Sequence, residues 1–486
     1  MPVKILNKSP WEGKLFTGEW VTHTNIRDVM EPATLKTMTQ TAIASANDIN
    51  KACHNARIAQ KKWGNISPDE RSVLFLNAAG YLEKHMDELA LIIARETGGI
   101  LAKGLFELQI AISILRLSAN LAVQPNGLVL ASSPDRESIA KRIPLGVVGV
   151  ISPFNFPLIL SIRSVAPALA LGNAVVSKPD PQTPLSGGYI LAMAFEFAGF
   201  PKGVYQVCPG DKDAGEALCS AKEVAMIAFT GSTSAGRSVG EICGRNLKKV
   251  ILELGGKNSL IILDDANLDQ AVNNIAWGSY MHQGQICMTS GRILVHESVA
   301  ERLTEKLIKK ANELKVGDPA TEQVALGPLI NDRQLQRVHN IVLESIESGA
   351  KLVAGGTYEK LFYRPTVLTD VEPGMKAFDE EIFGPVASIT TFKTDEEAIQ
   401  LASLTEYGLS AAIISPDLAR ARRLGNQLDV GLLHINDQTV NDEGVNPFGG
   451  TGASGNGQSV GGPNNIDLYT HWKWITEKDT PIQFPF

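Results

Sequence analysis

Ile143-Pro-Leu-Gly-Val-Val-Gly-Val-Ile151 is a nearly unbroken apolar run. Such a run fits a strand buried on both faces, as in a parallel sheet covered by helices. The chain downstream keeps that rhythm. The spacing predicts a helix over 158–170, a strand over 174–177, a helix over 187–198, strands over 204–207 and 225–229, and a helix from Ser234. Strands alternating with helices imply an α/β fold with a doubly wound parallel sheet. A second alternating block follows Glu253, with strands predicted over 259–262, 292–296, 387–392 and 409–414. Helices fit 267–280, 300–313, 332–348 and 394–403 between them.

Upstream, residues 46–117 show apolar spacings of three and four and read as helical. Residues 118–142 change character, with Val123, Val129 and Leu130 among turn residues, and read as a strand or hairpin leaving the main body. Residues 441–463 are rich in Gly, Asn and Pro and read as a loop. The tail, 466–486, is aromatic and mixed in charge. It is expected to pack on another element, such as the 118–142 hairpin of another subunit.

The chain has 486 residues, 44% hydrophobic and 20% charged, with net charge −7. That length allows two or three domains. The acidic balance argues against nucleic-acid and anionic-membrane partners, which need a basic surface. Five cysteines (Cys53, Cys208, Cys219, Cys243 and Cys287) contain no C-x-x-C pair. An odd, unpaired set fits free thiols in a reducing cytoplasm rather than a disulfide framework or zinc site. The first ten residues lack the apolar core of a signal peptide, and no apolar run reaches membrane-span length. The eight histidines show no metal spacing, so no metal is expected; His282, His296 and His434 read as structural.

Met281-His-Gln-Gly-Gln-Ile-Cys-Met-Thr289 carries the sharpest chemical signal. Polar and glycine neighbours suggest a bend that exposes the Cys287 sulfur and aims backbone N–H groups at it. A lone cysteine also reads as a small buried apolar residue. Glu253 lies 34 residues upstream in Leu252-Glu-Leu-Gly-Gly-Lys257. A carboxylate among apolar residues is desolvated, which raises its pKa toward a useful value for a base. Taken alone, it reads more readily as a strand-end carboxylate facing solvent. Phe229-Thr-Gly-Ser-Thr-Ser-Ala-Gly-Arg237 follows a strand and opens a helix, so its N–H groups can approach a pyrophosphate. Ser177-Lys-Pro-Asp-Pro181 ends a neighbouring strand, where Lys178 can reach a cofactor hydroxyl or phosphate. Pro153-Phe-Asn-Phe-Pro157 restrains Asn155, whose amide can donate to a developing oxyanion. Asp379-Glu-Glu-Ile-Phe-Gly-Pro385 offers a carboxylate and a ring to a ribose or nicotinamide, or is a plain helix-to-loop transition.

Taken in this order, together with Pro447-Phe-Gly-Gly450, these segments resemble the aldehyde dehydrogenase superfamily over roughly residues 20–480. Within it, 282–288 and His434-Ile-Asn-Asp-Gln-Thr-Val-Asn-Asp442 are most similar to the benzaldehyde and vanillin dehydrogenases. The resemblance implies a Rossmann-type cofactor domain (1–120 and 143–254), a catalytic domain (255–447) and a small β oligomerisation arm (121–142 and 466–486), assembled as a homodimer or homotetramer. It implies that Cys287 attacks an aldehyde, that Asn155 and the Cys287 N–H hold the oxyanion, and that Glu253 activates water to release the acid. It places NAD over Ile151, Phe154, Lys178, Thr230, Gly231, Ser232, Gly236, Leu254, Glu381 and Phe383. Three departures stand out. Pro181 occupies the place where many NAD-preferring members carry a glutamate, so NADP use stays open. Phe154 stands where many have tryptophan, and Gly452 where lysine is usual. The expected reaction is oxidation of a benzaldehyde-like substrate. The alternatives are aliphatic or semialdehyde substrates with the same chemistry, CoA acylation, which Glu253 argues against, and a catalytically silent protein on the same fold.

Overall fold

The computed structural model describes residues 10–486. The expectation of no signal peptide falls on residues 1–9, outside the described range.

Five strands form a parallel core: Val147–Ser152, Ala174–Pro179, Tyr205–Val207, Val224–Thr230 and Lys249–Glu253. Numbered in chain order, they lie in the order 5-4-1-2-3. The order reverses between Val147–Ser152 and Val224–Thr230, and in such sheets ligands bind outside the carboxyl ends at the reversal. Those ends lead into Phe154–Asn155 on one strand and Gly231–Ser232 on the other. Two antiparallel strands, Lys14–Phe16 and Trp20–Thr22, extend the far edge. They are three residues each, too short to leave a periodic signal in the sequence.

A second seven-stranded sheet is built from residues 258–435, with six parallel strands and one antiparallel edge strand, Lys351–Ala354. The strand Ser290–His296 sits in its middle, so the chain enters the sheet three residues after Cys287.

The 143–151 run is not one strand. Glu137–Pro144 belongs to a separate antiparallel sheet, and Val147–Ser152 starts anew after Gly146, whose φ of +124° is open to glycine. The predicted 118–142 hairpin also starts later, because helix Leu101–Ala122 continues through its first residues. The hairpin proper pairs Gly127–Val129 with Glu137–Pro144. The tail strand Thr470–Glu477 pairs along all eight residues with Glu137–Pro144 of its own chain, correcting the expectation that it docks on another subunit. Among the described residues one helix, Leu101–Ala122, is long and apolar enough to cross a membrane by length and composition. Its buried face instead packs in the main core beside helices Pro68–Lys84 and Pro157–Ala170.

Helix Pro157–Ala170 explains how Asn155 is held. Every one of its residues is buried. Its first N–H groups, which have no partner within the helix, point at Glu107: Leu158 and Ile159 donate to Oε2 at 3.0 and 3.3 Å. Glu107 in turn lies 2.5 Å from the buried Lys103 ammonium. A carboxylate at a helix N-terminus is favoured by the helix dipole. The arrangement locks the turn that carries Asn155 and Phe156.

Candidate active site

Cys287 lies in a tight loop between helix Leu268–Tyr280 and strand Ser290–His296. His282 and Gln283 both take left-handed backbone angles (φ 48° and 56°), a strained pair for non-glycine residues. Hydrogen bonds hold that strain in place. The Gln283 amide donates to Gly98 O and Pro328 O, and the Ile330 N–H donates to Gln285 Oε1. The Asn258 amide donates to Cys287 O at 2.8 Å and Thr289 O at 2.9 Å, while its own oxygen accepts from the Ser410 N–H. The loop permits no side chain at Gly256, where a Cβ would lie 2.4 Å from Cys287 O. No hydrogen bond uses the Cys287 N–H among the described residues. Cys287 is half-buried, whereas the other four cysteines are fully buried.

Asn155 donates to Gln285 O at 2.9 Å through Nδ2. An amide nitrogen carries two hydrogens. One fixes the side chain to the nucleophile loop, and the second is left for an oxyanion. Glu253 closes its strand from the first sheet, 4% exposed, with neither carboxylate oxygen hydrogen-bonded. Cys287 and Asn155 line one large cavity of about 1100 Å³. Its walls are mainly apolar, with Phe156, Ile159, Trp277, Met288, Val440 and Phe448 among them. The first sheet thus supplies the Asn155 amide and the Glu253 carboxyl from its carboxyl ends, and the second supplies the Cys287 sulfur from the amino end of its central strand.

The electrostatics are those of a dry site. Burial pushes the Cys287 thiol up to about 12, and Glu381 and Glu253 add to the rise. Burial also holds the Glu253 carboxyl well above the carboxylate range. At rest the sulfur is therefore held as a thiol, and it needs a proton acceptor. Glu253, whose carboxylate burial makes more basic than a solvated one, is suited to that step. Arg163 opposes both shifts and Asp442 reinforces them. His282 is buried beside Phe156 and held neutral by burial and Lys103.

The residues assigned to a dinucleotide surround the reversal point of the first sheet. Ile151 and Lys178 are paired neighbours on adjacent strands. Lys178 is buried, and its ammonium donates to Gly210 O at 2.7 Å. Gly231 and Ser232 open helix Thr233–Arg245, with Ser232 as its N-cap. Gly236 lies against Leu254, where a Cβ would come within 2.3 Å. Glu381 accepts from the Gly256 N–H at 3.1 Å, and burial raises it to about 7. Phe383, at φ 59°, meets Phe154 edge-to-face at 5.9 Å. A helix N-terminus for phosphates, a cation for hydroxyls, a carboxyl that acts on Cys287 and a pair of rings fit a nicotinamide dinucleotide.

Sequence reasoning missed Arg163 and Asp442, which are ion-paired on the cavity wall. The signal was present: Arg163 is the lone charge in the apolar helix Pro157–Ala170.

The sequence model of the aldehyde dehydrogenase family matches residues 20–475. The chain belongs to the aldehyde dehydrogenase family. It is 49% identical over its full length, and the relative's, to a vanillin dehydrogenase of Amycolatopsis sp.. It is 48% identical to a benzaldehyde dehydrogenase [NAD(+)] of Pseudomonas putida, covering 98% of each chain. The fold superposes on betaine aldehyde dehydrogenase of Staphylococcus aureus in complex with NAD+, with a TM-score of 0.95 and 30% identity over 100% of this chain and 98% of that one. An E. coli NADP-dependent enzyme superposes with a TM-score of 0.93, at 33% identity over 97% of this chain and 99% of that one.

Proposed function

We propose that this aldehyde dehydrogenase oxidises aromatic aldehydes of the benzaldehyde and vanillin type to carboxylic acids, with NAD as the electron acceptor. The observation that carries the reading is the apolar, aromatic-walled cavity that ends on Cys287 and Asn155. Full-length likeness to the two aromatic aldehyde dehydrogenases supports it.

The reaction follows from the placement of the side chains. Glu253 takes the Cys287 proton, and the sulfur attacks the carbonyl carbon. The free Asn155 N–H and the Cys287 N–H receive the resulting oxyanion. Lys178, Gly231, Ser232, Glu381 and Phe383 would hold NAD, which would supply the two-electron acceptor needed for the tetrahedral adduct to become a thioester. Glu253 passes that first proton to solvent and then removes a proton from water; the hydroxyl adds to the thioester carbon, the sulfur leaves, and Glu253 returns the proton to it. The carboxylic acid is released and Cys287 is regenerated.

The NAD preference rests on charge. Asp180, Asp211 and Asp213 all act on Lys178, and Arg27 is tied up bidentately by Asp211. An added phosphate dianion would meet that acidic surround, so NADP binds more weakly although Pro181 carries no charge. The protein acts in the cytoplasm, in keeping with five free thiols. The same reading takes it as a homodimer or homotetramer without nucleic-acid or membrane partners. The exposed Val129, Trp472 and Trp474 on the three-stranded arm support association.

A panel of aromatic and aliphatic aldehydes, assayed with NAD and with NADP by reduced-nicotinamide absorbance, tests the proposal. Aromatic aldehydes with NAD give the highest kcat/KM. A strong preference for long aliphatic aldehydes would overturn the substrate reading and leave the chemistry in place.

A further inference from the structure

A second cavity, of about 210 Å³, adjoins the segment that props the nucleophile loop, and it shares no lining residue with the Cys287 cavity. Lys257, Ser259 and Arg292 line it, and they are 2%, 3% and 1% exposed. The sheet brings them together. Ser259 and Arg292 are direct partners across the parallel strands Asn258–Ile262 and Ser290–His296, so their side chains share a face. Ala411, the partner of Ser259 on its other side, lines the same cavity. Lys257 stands two residues before Ser259. Arg292 Nη2 donates to its carbonyl at 3.0 Å, and a Cβ on Gly291 would lie 3.3 Å from its ammonium.

Each of the three keeps a polar atom without a partner among the described residues: Lys257 Nζ, Arg292 Nε and Ser259 Oγ. The rest of the Arg292 fork is used. Nη1 donates to Leu401 O and Leu404 O, and Nη2 also to Ala402 O, which seats the cation at the carboxyl end of helix Asp395–Ser403. Its partners are all carbonyls, so it meets no carboxylate. Asp379, Glu380 and Glu381 favour the charged form of Lys257, yet none bonds to its ammonium. Burial, and then the Arg292 charge, pulls that ammonium down to about 7. Two cations with unmade donors in one buried space carry a desolvation cost that a counter-charge in contact would offset.

We propose that this cavity is a binding site for a small monovalent anion of the chloride or nitrate kind, held by the Lys257 ammonium, the Arg292 Nε–H and the Ser259 hydroxyl. All three can donate, and an anion accepts from each. Glu406 and Asp429 on the rim, with the three acids that act on Lys257, disfavour a dianion, so phosphate and sulfate are poor ligands. The site bears on the nucleophile through the backbone. Lys257 lies between Gly256, which is close against Cys287 O, and Asn258, whose amide donates to that oxygen. A bound anion therefore steadies the strut that sets the sulfur.

Crystals soaked in sodium bromide test the site by anomalous diffraction. The expected result is a bromide peak in contact with Lys257 Nζ, Arg292 Nε and Ser259 Oγ. In solution, chloride raises Tm along a saturating curve relative to gluconate at equal ionic strength, by about 2 °C at tenfold over half-saturation. Lys257→Met abolishes the rise and the bromide peak. Ser259→Ala loses one neutral hydrogen bond and raises the half-saturating chloride about fivefold. Bromide at surface positions alone, an adventitious ion only, overturns the proposal. Ordered water on the three donors in saturating bromide overturns it too, as does a chloride response that is linear or that survives intact in Lys257→Met. If Lys257→Met does not fold, the bromide map of the unaltered protein and the Ser259→Ala melt decide, and a missing peak or an unchanged half-saturation refutes.

Discussion

Gly256→Ala perturbs the nucleophile without touching it. A Cβ at position 256 would stand 2.4 Å from Cys287 O and 2.7 Å from Asn258 Oδ1, where ordinary contact begins at 3.4 Å. The Cys287 carbonyl must therefore retreat by about 1 Å, and it cannot do so alone. Asn258 bridges that carbonyl to Thr289 O and to the Ser410 N–H, so the whole turn moves or the bridge breaks. Misplacing a reacting atom by about 1 Å costs about 100-fold in rate, or about 2.7 kcal/mol of barrier. Overpacking costs the fold about 1–3 kcal/mol, which a protein of this size survives. Kcat from reduced-nicotinamide absorbance, the alkylation rate of Cys287 and a thermal melt read the three quantities separately. The expected pattern is a large fall in kcat, slower or altered alkylation, and a modest drop in Tm. A kcat within about twofold of the parent, under 0.5 kcal/mol of barrier, would refute the idea that the Gly256 contact sets the sulfur.

Cys287→Ala abolishes turnover while NAD binding, followed by fluorescence, persists; residual turnover at parental rate would remove the nucleophile assignment. Glu253→Gln accumulates an acyl-enzyme visible as a mass increment on the intact protein, and a normal steady state without adduct counts against the base role. Asn155→Ala loses one oxyanion donor and with it about 100- to 1000-fold in kcat, with little change in NAD affinity. The acid limb of hydrolysis lies above the usual carboxylate range, because burial raises Glu253 and the charged form it needs appears only as pH climbs past that raised value. A limb near pH 4, the value of an ordinary glutamate, would show that Glu253 is solvated during the reaction.

The parallel sheet was legible because its strands are buried on both faces. Val147–Ser152 and Ala174–Pro179 carry no exposed residue, and their apolar stretches 147–151 and 174–176 made them readable. What separates Pro144 from Val147 is one glycine turn, and periodicity does not register a change of sheet. The edge strands Lys14–Phe16 and Trp20–Thr22 were invisible for lack of length. Glu253 was recognisable as a carboxylate in an apolar setting, which the structure shows to be desolvated. Asn155 was recognisable from prolines on both sides, yet its anchor on Gln285 O joins residues 130 apart and no local pattern encodes it. Arg163 went unread because helix patterning rewards its apolar neighbours. A lone charge in a wholly buried helix has to be treated as a request for a partner, and here the partner is 279 residues away.

The sharing of charge between Cys287 and Glu253 ties the two halves of the reaction together. Each raises the cost of ionising the other, since the Glu253 charge is one of the influences that push the thiol up. Two anions close together in a dry cavity are disfavoured, so the pair is expected to carry one negative charge at a time and to titrate as a unit. In the first half the charge belongs on sulfur and the proton on Glu253. Once the thioester forms, the sulfur is neutral and its repulsion of the carboxylate disappears. Glu253 can then ionise more readily than while the sulfur carries the charge, at the stage where a base for water is required. Consumption of the nucleophile thus prepares the base, and the same burial that makes the resting thiol inert provides the coupling. A solvated site would screen the two groups from each other and would lose that order of events.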